Sequence, residues 1–195
     1  MLVGILILLL DVAFGFITML LLARFFMQWQ RVSFRNQVGQ FVVTATDWVV
    51  RPLRRAIPGL FGLDMASLLP AWAFQTVYVS LEFALRGAPF DGGPAAVLLG
   101  VWGMGLVALL RMAVYLVMAV VLVSAVMSWV NPHAPAASVF QGLAAPFLRP
   151  FRRIVPMVAN VDLSPLVLLV LLQIVLIVLA DVQRRFVPLL SASAF

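Results

Sequence analysis

Largely apolar stretches run from about residue 2 to residue 29, and again over 65–85, 95–130 and 164–182, separated by stretches that mix Arg, Pro, Gly and Asp. A helix rises about 1.5 Å per residue, so some twenty apolar residues cross a hydrocarbon layer of about 30 Å. The pattern predicts four transmembrane helices, at about 2–29, 65–85, 110–130 and 164–182. The third apolar run is too long, because a straight helix over 95–130 would measure about 50 Å. Residues 95–110, with Gly100, Gly103 and Gly105, are therefore expected to form a surface or re-entrant lead-in, with a long tilted helix as the alternative. Arg111 then sits near the interface opposite Trp129, where its guanidinium can snorkel or meet Asp11.

Between the first two spans the period changes. Val38, Phe41, Val42, Ala45, Trp48 and Val49 recur at helical spacing with Gln37, Gln40, Thr44 and Asp47 opposite, which predicts an amphipathic helix lying at the membrane surface. Asn36 is its expected N-cap, and Pro52 is expected to end or bend it. Ser138 with Gln141, followed by Val139, Phe140, Leu143, Ala144, Phe147 and Leu148, predicts a second such helix opened by a capping box.

The chain repeats itself. Arg51-Pro52-Leu53-Arg54-Arg55-Ala56-Ile57-Pro58 returns as Arg149-Pro150-Phe151-Arg152-Arg153-Ile154-Val155-Pro156, and the offset of 98 residues carries on to match Asp64 with Asp162 and Gln75 with Gln173. This predicts an all-α membrane protein of two tandem parallel repeats, each made of span, amphipathic interfacial helix, Arg-Pro loop and span. The first repeat covers 1–86 and the second 95–187, with a Gly/Pro-rich linker at 87–94 and a tail at 188–195. Both Arg-rich loops are expected on the cytoplasmic side, with linker and termini outside. Loop one carries five Arg against Asp47 and Asp64, loop two carries three against Asp162, and the linker region has only Arg86 against Glu82 and Asp91. The apolar start has no cationic lead and no small-residue cleavage pattern, so it is expected to stay as the first span.

Composition narrows the chemistry. With 65% hydrophobic and 10% charged residues and a mean hydropathy of +1.14, a soluble globule is excluded. The thirteen cations cluster mainly in short loops between the apolar runs, six of them in the two Arg-Pro copies, so topology and not nucleic acid accounts for the basic balance. There is no Cys, no Lys and a single His133 beside Asn131-Pro132, which reads as a turn residue. Thiol nucleophiles, Schiff bases and multi-histidine metal sites are thereby excluded, and neither a catalytic constellation nor a cofactor or metal site is expected.

Arg51, Arg54 and Arg55, like Arg149, Arg152 and Arg153, stand at i, i+3, i+4, so a local helix gathers each triplet on one side. They are candidate sites for lipid phosphate or acidic partner segments, or else plain topogenic charges. Asp64 and Asp162 are candidates for capping the next helix or pairing with an arginine of the loop. Gln75 and Gln173 lie about 16 Å along their helices, near mid-bilayer, where each amide needs a partner. They are expected at similar depth, facing one another across a pseudo-two-fold axis, as interhelical glue or as a conduit lining.

Two R-P-x-R-R-x-x-P loops, each followed by an Asp at the head of an apolar helix, resemble the bacterial YggT family, whose plastid relatives include the CCB3/YlmG proteins. The resemblance rests on Arg51, Pro52, Arg54, Arg55, Pro58, Asp64 and Gln75, on Arg149, Pro150, Arg152, Arg153, Pro156, Asp162, Ser164 and Pro165, and on Ser128-Trp129. The first copy departs from it, reading Asp64-Met65-Ala66-Ser67 where the second reads Asp162-Leu163-Ser164-Pro165. The resemblance implies a small multi-pass protein of the bacterial inner membrane. Relatives are linked to osmotic-stress tolerance, to cell or plastid division and to assembly of membrane complexes.

The function expected is non-enzymatic: a scaffold or assembly factor presenting cytoplasmic Arg clusters to anionic phospholipid and to another membrane or membrane-associated protein, possible as a homo-oligomer and without nucleic acid. A small channel or transporter subunit for osmotic or ion homeostasis is the alternative.

Overall fold

The computed structural model describes residues 1–57, 62–87, 93–131, 133–155 and 162–190. Pro58, Pro132, Pro156, Asp91 and the tail from 191 lie outside the described residues. Six α-helices follow in order: α1 Leu2–Trp29, α2 Gln37–Ala56, α3 Met65–Leu85, α4 Pro94–Val130, α5 Pro135–Arg152 and α6 Ser164–Phe186, with a 3-10 turn at Val187–Leu189. α1, α3, α4 and α6 are long and apolar enough to cross a membrane.

α1 ends in a Schellman turn. The Val32 amide reaches the Met27 carbonyl at 2.8 Å and the Arg31 amide reaches Gln28 at 3.1 Å, with Arg31 at φ 55° in the left-handed position usually given to glycine. The chain is turned back so that α2 packs on the end of α1. Asn36 caps α2, its Oδ1 accepting from the Gly39 amide at 2.7 Å. A β-carbon at Gly39 would stand 2.7 Å from the Phe34 backbone, so glycine is what lets the incoming chain pass so close.

α1 and α3 run antiparallel, joined by Thr18–Gln75 and by a Phe14–Phe74 edge contact at 5.9 Å. α4 and α6 do the same, from Leu122 beside Leu169 to Gly103 beside Phe186. α1 and α4 share a direction, since Gly15 meets Met112 while Met27 and Val120 border one small apolar cavity of about 70 Å³. α4 is the hub, packing on α1, α3, α5 and α6. The main core gathers at the end covered by α2 and α5, where Leu21, Met27, Val50, Val121, Ala144 and Leu148 are buried together.

Several expectations need correction. Residues 95–110 are neither surface segment nor re-entrant: they are the first part of α4, one continuous helix of 37 residues. Its glycines are contact points, for a β-carbon on Gly105 would lie 2.8 Å from the Thr76 backbone and one on Gly103 would strike the Phe186 ring. Pro52 does not end α2, which continues to Ala56, because a helix can lose one backbone hydrogen bond when the flanking turns are packed. α5 likewise runs through Pro146 and Pro150. It starts at Pro135, whose fixed φ suits a first helical position, so Ser138 lies inside the helix and its hydroxyl donates to the Pro135 carbonyl at 3.0 Å instead of forming a capping box. The fourth span extends to Phe186 and takes Arg184 and Arg185 into its last turn.

Candidate functional site

Because α2 passes through Pro52, its last turns carry Arg51, Arg54 and Arg55, where cations suit the helix's carbonyl end. Arg54 points back along the bundle. Its Nη2 lies 2.6 Å from Asp64 Oδ2 and 3.0 Å from Gln28 Oε1, so one guanidinium ties the end of α2 to the head of α3 and to the end of α1. The Asp64 side chain is 4% exposed and also accepts from the Ser67 hydroxyl at 2.7 Å. Asp64 occupies the N-cap position of α3, yet its side chain makes no cap bond and is spent on Arg54 and Ser67.

The second copy repeats this with altered detail. Arg152 Nε lies 2.8 Å from Asp162 Oδ2, and Asp162 Oδ1 accepts from the Ser164 amide at 2.9 Å, so this carboxylate both pairs with the loop and caps the first residue of α6. Partial burial works against the charge on Asp162, but hydrogen bonds from Ser164 and the nearby Arg152 outweigh it and hold the carboxyl below its usual range. In both copies the middle arginine is engaged. Arg51, Arg55, Arg149 and Arg153 are exposed and make no ion pair among the described residues.

Arg24, which the pattern of apolar residues conceals, completes the first copy. It is buried, its side chain 7% exposed, and Nη1 donates to Thr46 Oγ1 and Asp47 Oδ1, each at 2.8 Å, holding α2 flat on α1. A signal was present: a lone guanidinium inside an apolar run must find an acceptor, and Asp47 is the one acid on the polar face of the next helix.

Gln75 and Gln173 do not meet. Gln75 is 1% exposed and its Nε2 donates to Thr18 Oγ1 at 3.0 Å, whereas Gln173 is exposed beside Leu169 and Val170. The reason is that α4 packs against both α3 and α6 and keeps the two apart. Gln75 also borders a cavity of about 290 Å³ with Asp11, Tyr78, Glu82, Arg111 and Tyr115. Arg111 and Asp11 share that cavity without pairing, since Arg111 Nη1 donates to Gln183 Oε1 at 2.8 Å. His133 is exposed.

Four membrane-length helices and two short amphipathic ones, with an Arg-to-Asp tie in each half, define a multi-pass α-helical membrane protein. The CCB3/YggT family model matches residues 3–84 and again 103–183, and the chain belongs to that family. It is 37% identical to YggT of Escherichia coli (strain K12) over 168 residues, which is 86% of this chain and 85% of that one. It is 33% identical to a Vibrio alginolyticus protein from the proC 3′ region, over 89% of this chain and 92% of that protein, and 30% identical to a Haemophilus influenzae protein over 79% and 80%. No solved structure matches it.

Proposed function

We propose that the chain is a non-enzymatic scaffold or assembly factor of the bacterial inner membrane, built as two parallel repeats that turn both Arg-Pro loops to the cytoplasm and keep the termini outside. The supporting observation is the division of labour within each triplet: Arg54 and Arg152 are tied to Asp64 and Asp162, while Arg51, Arg55, Arg149 and Arg153 point outward. A helix end braced in this way holds two free guanidinium groups at a set position, which topogenic charge alone does not require. The surface they offer fits anionic phospholipid and an acidic segment of another membrane protein, or of a second copy.

Each arginine near an anionic surface contributes about 1 kcal/mol. Reversing Arg51, Arg55, Arg149 and Arg153 to Glu is expected to weaken recovery on anionic vesicles, and crosslinking of a partner from these loops, by on the order of a hundredfold or more, with membrane insertion unchanged. Inverted topology in that variant would mean the charges only orient the chain.

A channel or transporter subunit is the second reading, supported by the cavity beside Gln75. It is ranked lower because Gln173 is not part of that cavity and lies instead beside Leu169 and Val170. Selective ion flux in liposomes that is lost in Gln75→Leu would reverse the order.

A further inference from the structure

The two halves fill the same crevice differently. In the first half, the space between the end of α1, the underside of α2 and the head of α3 is packed by Arg24, Gln28 and Asp47, joined to Thr46 and Arg54. Aligning Trp129 with Trp29 in the spans, and Asp162 with Asp64 after them, puts Ser124, Ser128 and Ala145 at those three places. A guanidinium, an amide and a carboxylate are thus replaced by two hydroxymethyl groups and a methyl. Where the first half places these three side chains, the second half has a cavity of about 420 Å³ bordered by Ser124, Ser128, Gln141, Ala145, Arg152 and Asp162.

Its hydrogen-bonding balance is uneven. Arg54 gives Nη2 to Asp64 and to Gln28, but Arg152, its side chain 53% exposed, reaches Asp162 through Nε alone, so that among the described residues its two terminal nitrogens have no protein partner and are open to the cavity and to solvent. Both Asp162 oxygens are occupied, one by Arg152 and one by the Ser164 amide. The cavity therefore offers the terminal guanidinium nitrogens of Arg152, the Ser124 hydroxyl and the Gln141 amide, a set of donors that suits an anionic oxygen group. Its volume suits a small ligand or a lipid headgroup, and Trp129, 68% exposed at the rim, is the kind of side chain found at the headgroup level of a bilayer.

We propose that this cavity is a binding site for a phosphate-bearing anion, present in the second half only and closed in the first by the protein's own Arg24 and Asp47. The anion is either the headgroup of an anionic phospholipid or a free phosphate ester. The inference deepens the scaffold reading by naming one stoichiometric site apart from the four outward arginines.

The test is native mass spectrometry of the full chain in non-ionic detergent with phosphatidylglycerol, phosphatidylcholine or glycerol phosphate. One phosphatidylglycerol per chain is expected, retained at least tenfold better than phosphatidylcholine. Ser124→Arg with Ala145→Asp rebuilds the packing of the first half and should abolish that adduct. Should the double variant fold poorly, Ser128→Gln alone supplies the amide that occupies the equivalent arginine and should weaken the adduct about tenfold. Arg51→Glu with Arg55→Glu, in the other half, should leave it intact, so loss of the scaffold's surface and loss of this site are separable. Binding of glycerol phosphate with no preference for the lipid assigns the site to a free ester. Equal retention of phosphatidylcholine, or adducts indifferent to filling the cavity, overturns the proposal.

Discussion

At the scale of single residues, the charges inside this molecule are held by specific partners, and the two members of a pair are not equivalent. Arg24 is almost wholly buried, whereas its partner Asp47 keeps 42% of its side chain exposed. Removing the acid strands a buried cation, while removing the arginine leaves an acid that water can still reach. Asp47→Ala is therefore expected to destabilise the detergent-solubilised protein by about 3 kcal/mol and Arg24→Met by less, with the double variant well short of their sum, all read from thermal unfolding. Asp162 gives a pH dependence. Its folded pKa lies below the ordinary value near 4, so the unfolded chain takes up the proton first as pH falls. The stabilisation it gives is complete above about pH 4 and lost as pH drops through the lower folded value. Protection factors of the amides around Arg152 and Ser164, with the intrinsic pH dependence of exchange divided out, should fall over that acid range in the native chain and stay constant in Asp162→Asn. The Arg–Asp recurrence made Asp64 and Asp162 visible as candidates. It left open whether each caps or pairs, because that depends on how far the preceding helix runs. Arg24 was missed because one cation in twenty-eight residues barely alters the hydropathy of a span.

At the scale of elements, length and apolarity sufficed for α1 and α3 and for the start of α6, since membrane helices must satisfy their own backbone and so cannot stray far from the hydrophobic run. Glycine and proline were harder to read. Three glycines in 100–105 look like a broken helix if each is weighed by its conformational freedom alone. Within a bundle the same residues permit close approach, and α4 uses Gly105 to reach the backbone of α3. Gly105→Val is accordingly expected to cost about 1–3 kcal/mol and to loosen α3 from α4, measurable as faster cleavage or exchange at the α3–α4 linker. The surface helices show the reverse problem. Periodicity located their apolar stripes, but it could not say that Val42 and Val50 would face protein while Phe41 and Trp48 remain exposed, because lipid and protein neighbours are equally apolar.

At the scale of the whole molecule, the relative direction of the helices constrains more than any single element does. α1 and α4 run the same way, their partners α3 and α6 return, and α2 and α5 lie together at one end, with the Phe26 and Phe147 rings tilted against each other at 6.0 Å and Val32 beside Gly142. If each half crosses a bilayer twice, both Arg-Pro stretches emerge on one face, which the proposed reading takes to be the cytoplasmic one. The expected pairing of Gln75 with Gln173 failed because the two halves pack differently: α4 extends back to cover α3 while also packing on α6, and lies between them. The absence of cysteine makes the topology directly measurable. Single cysteines replacing Arg55 and Arg153 should react with a membrane-impermeant maleimide only after the inner face is opened, and one replacing Arg86 should react in intact cells. Labelling of positions 55 and 153 from opposite sides would remove the shared docking face, since two clusters separated by a bilayer cannot engage one partner. It would leave the cavity of the second half untouched, because that site is built within a single repeat.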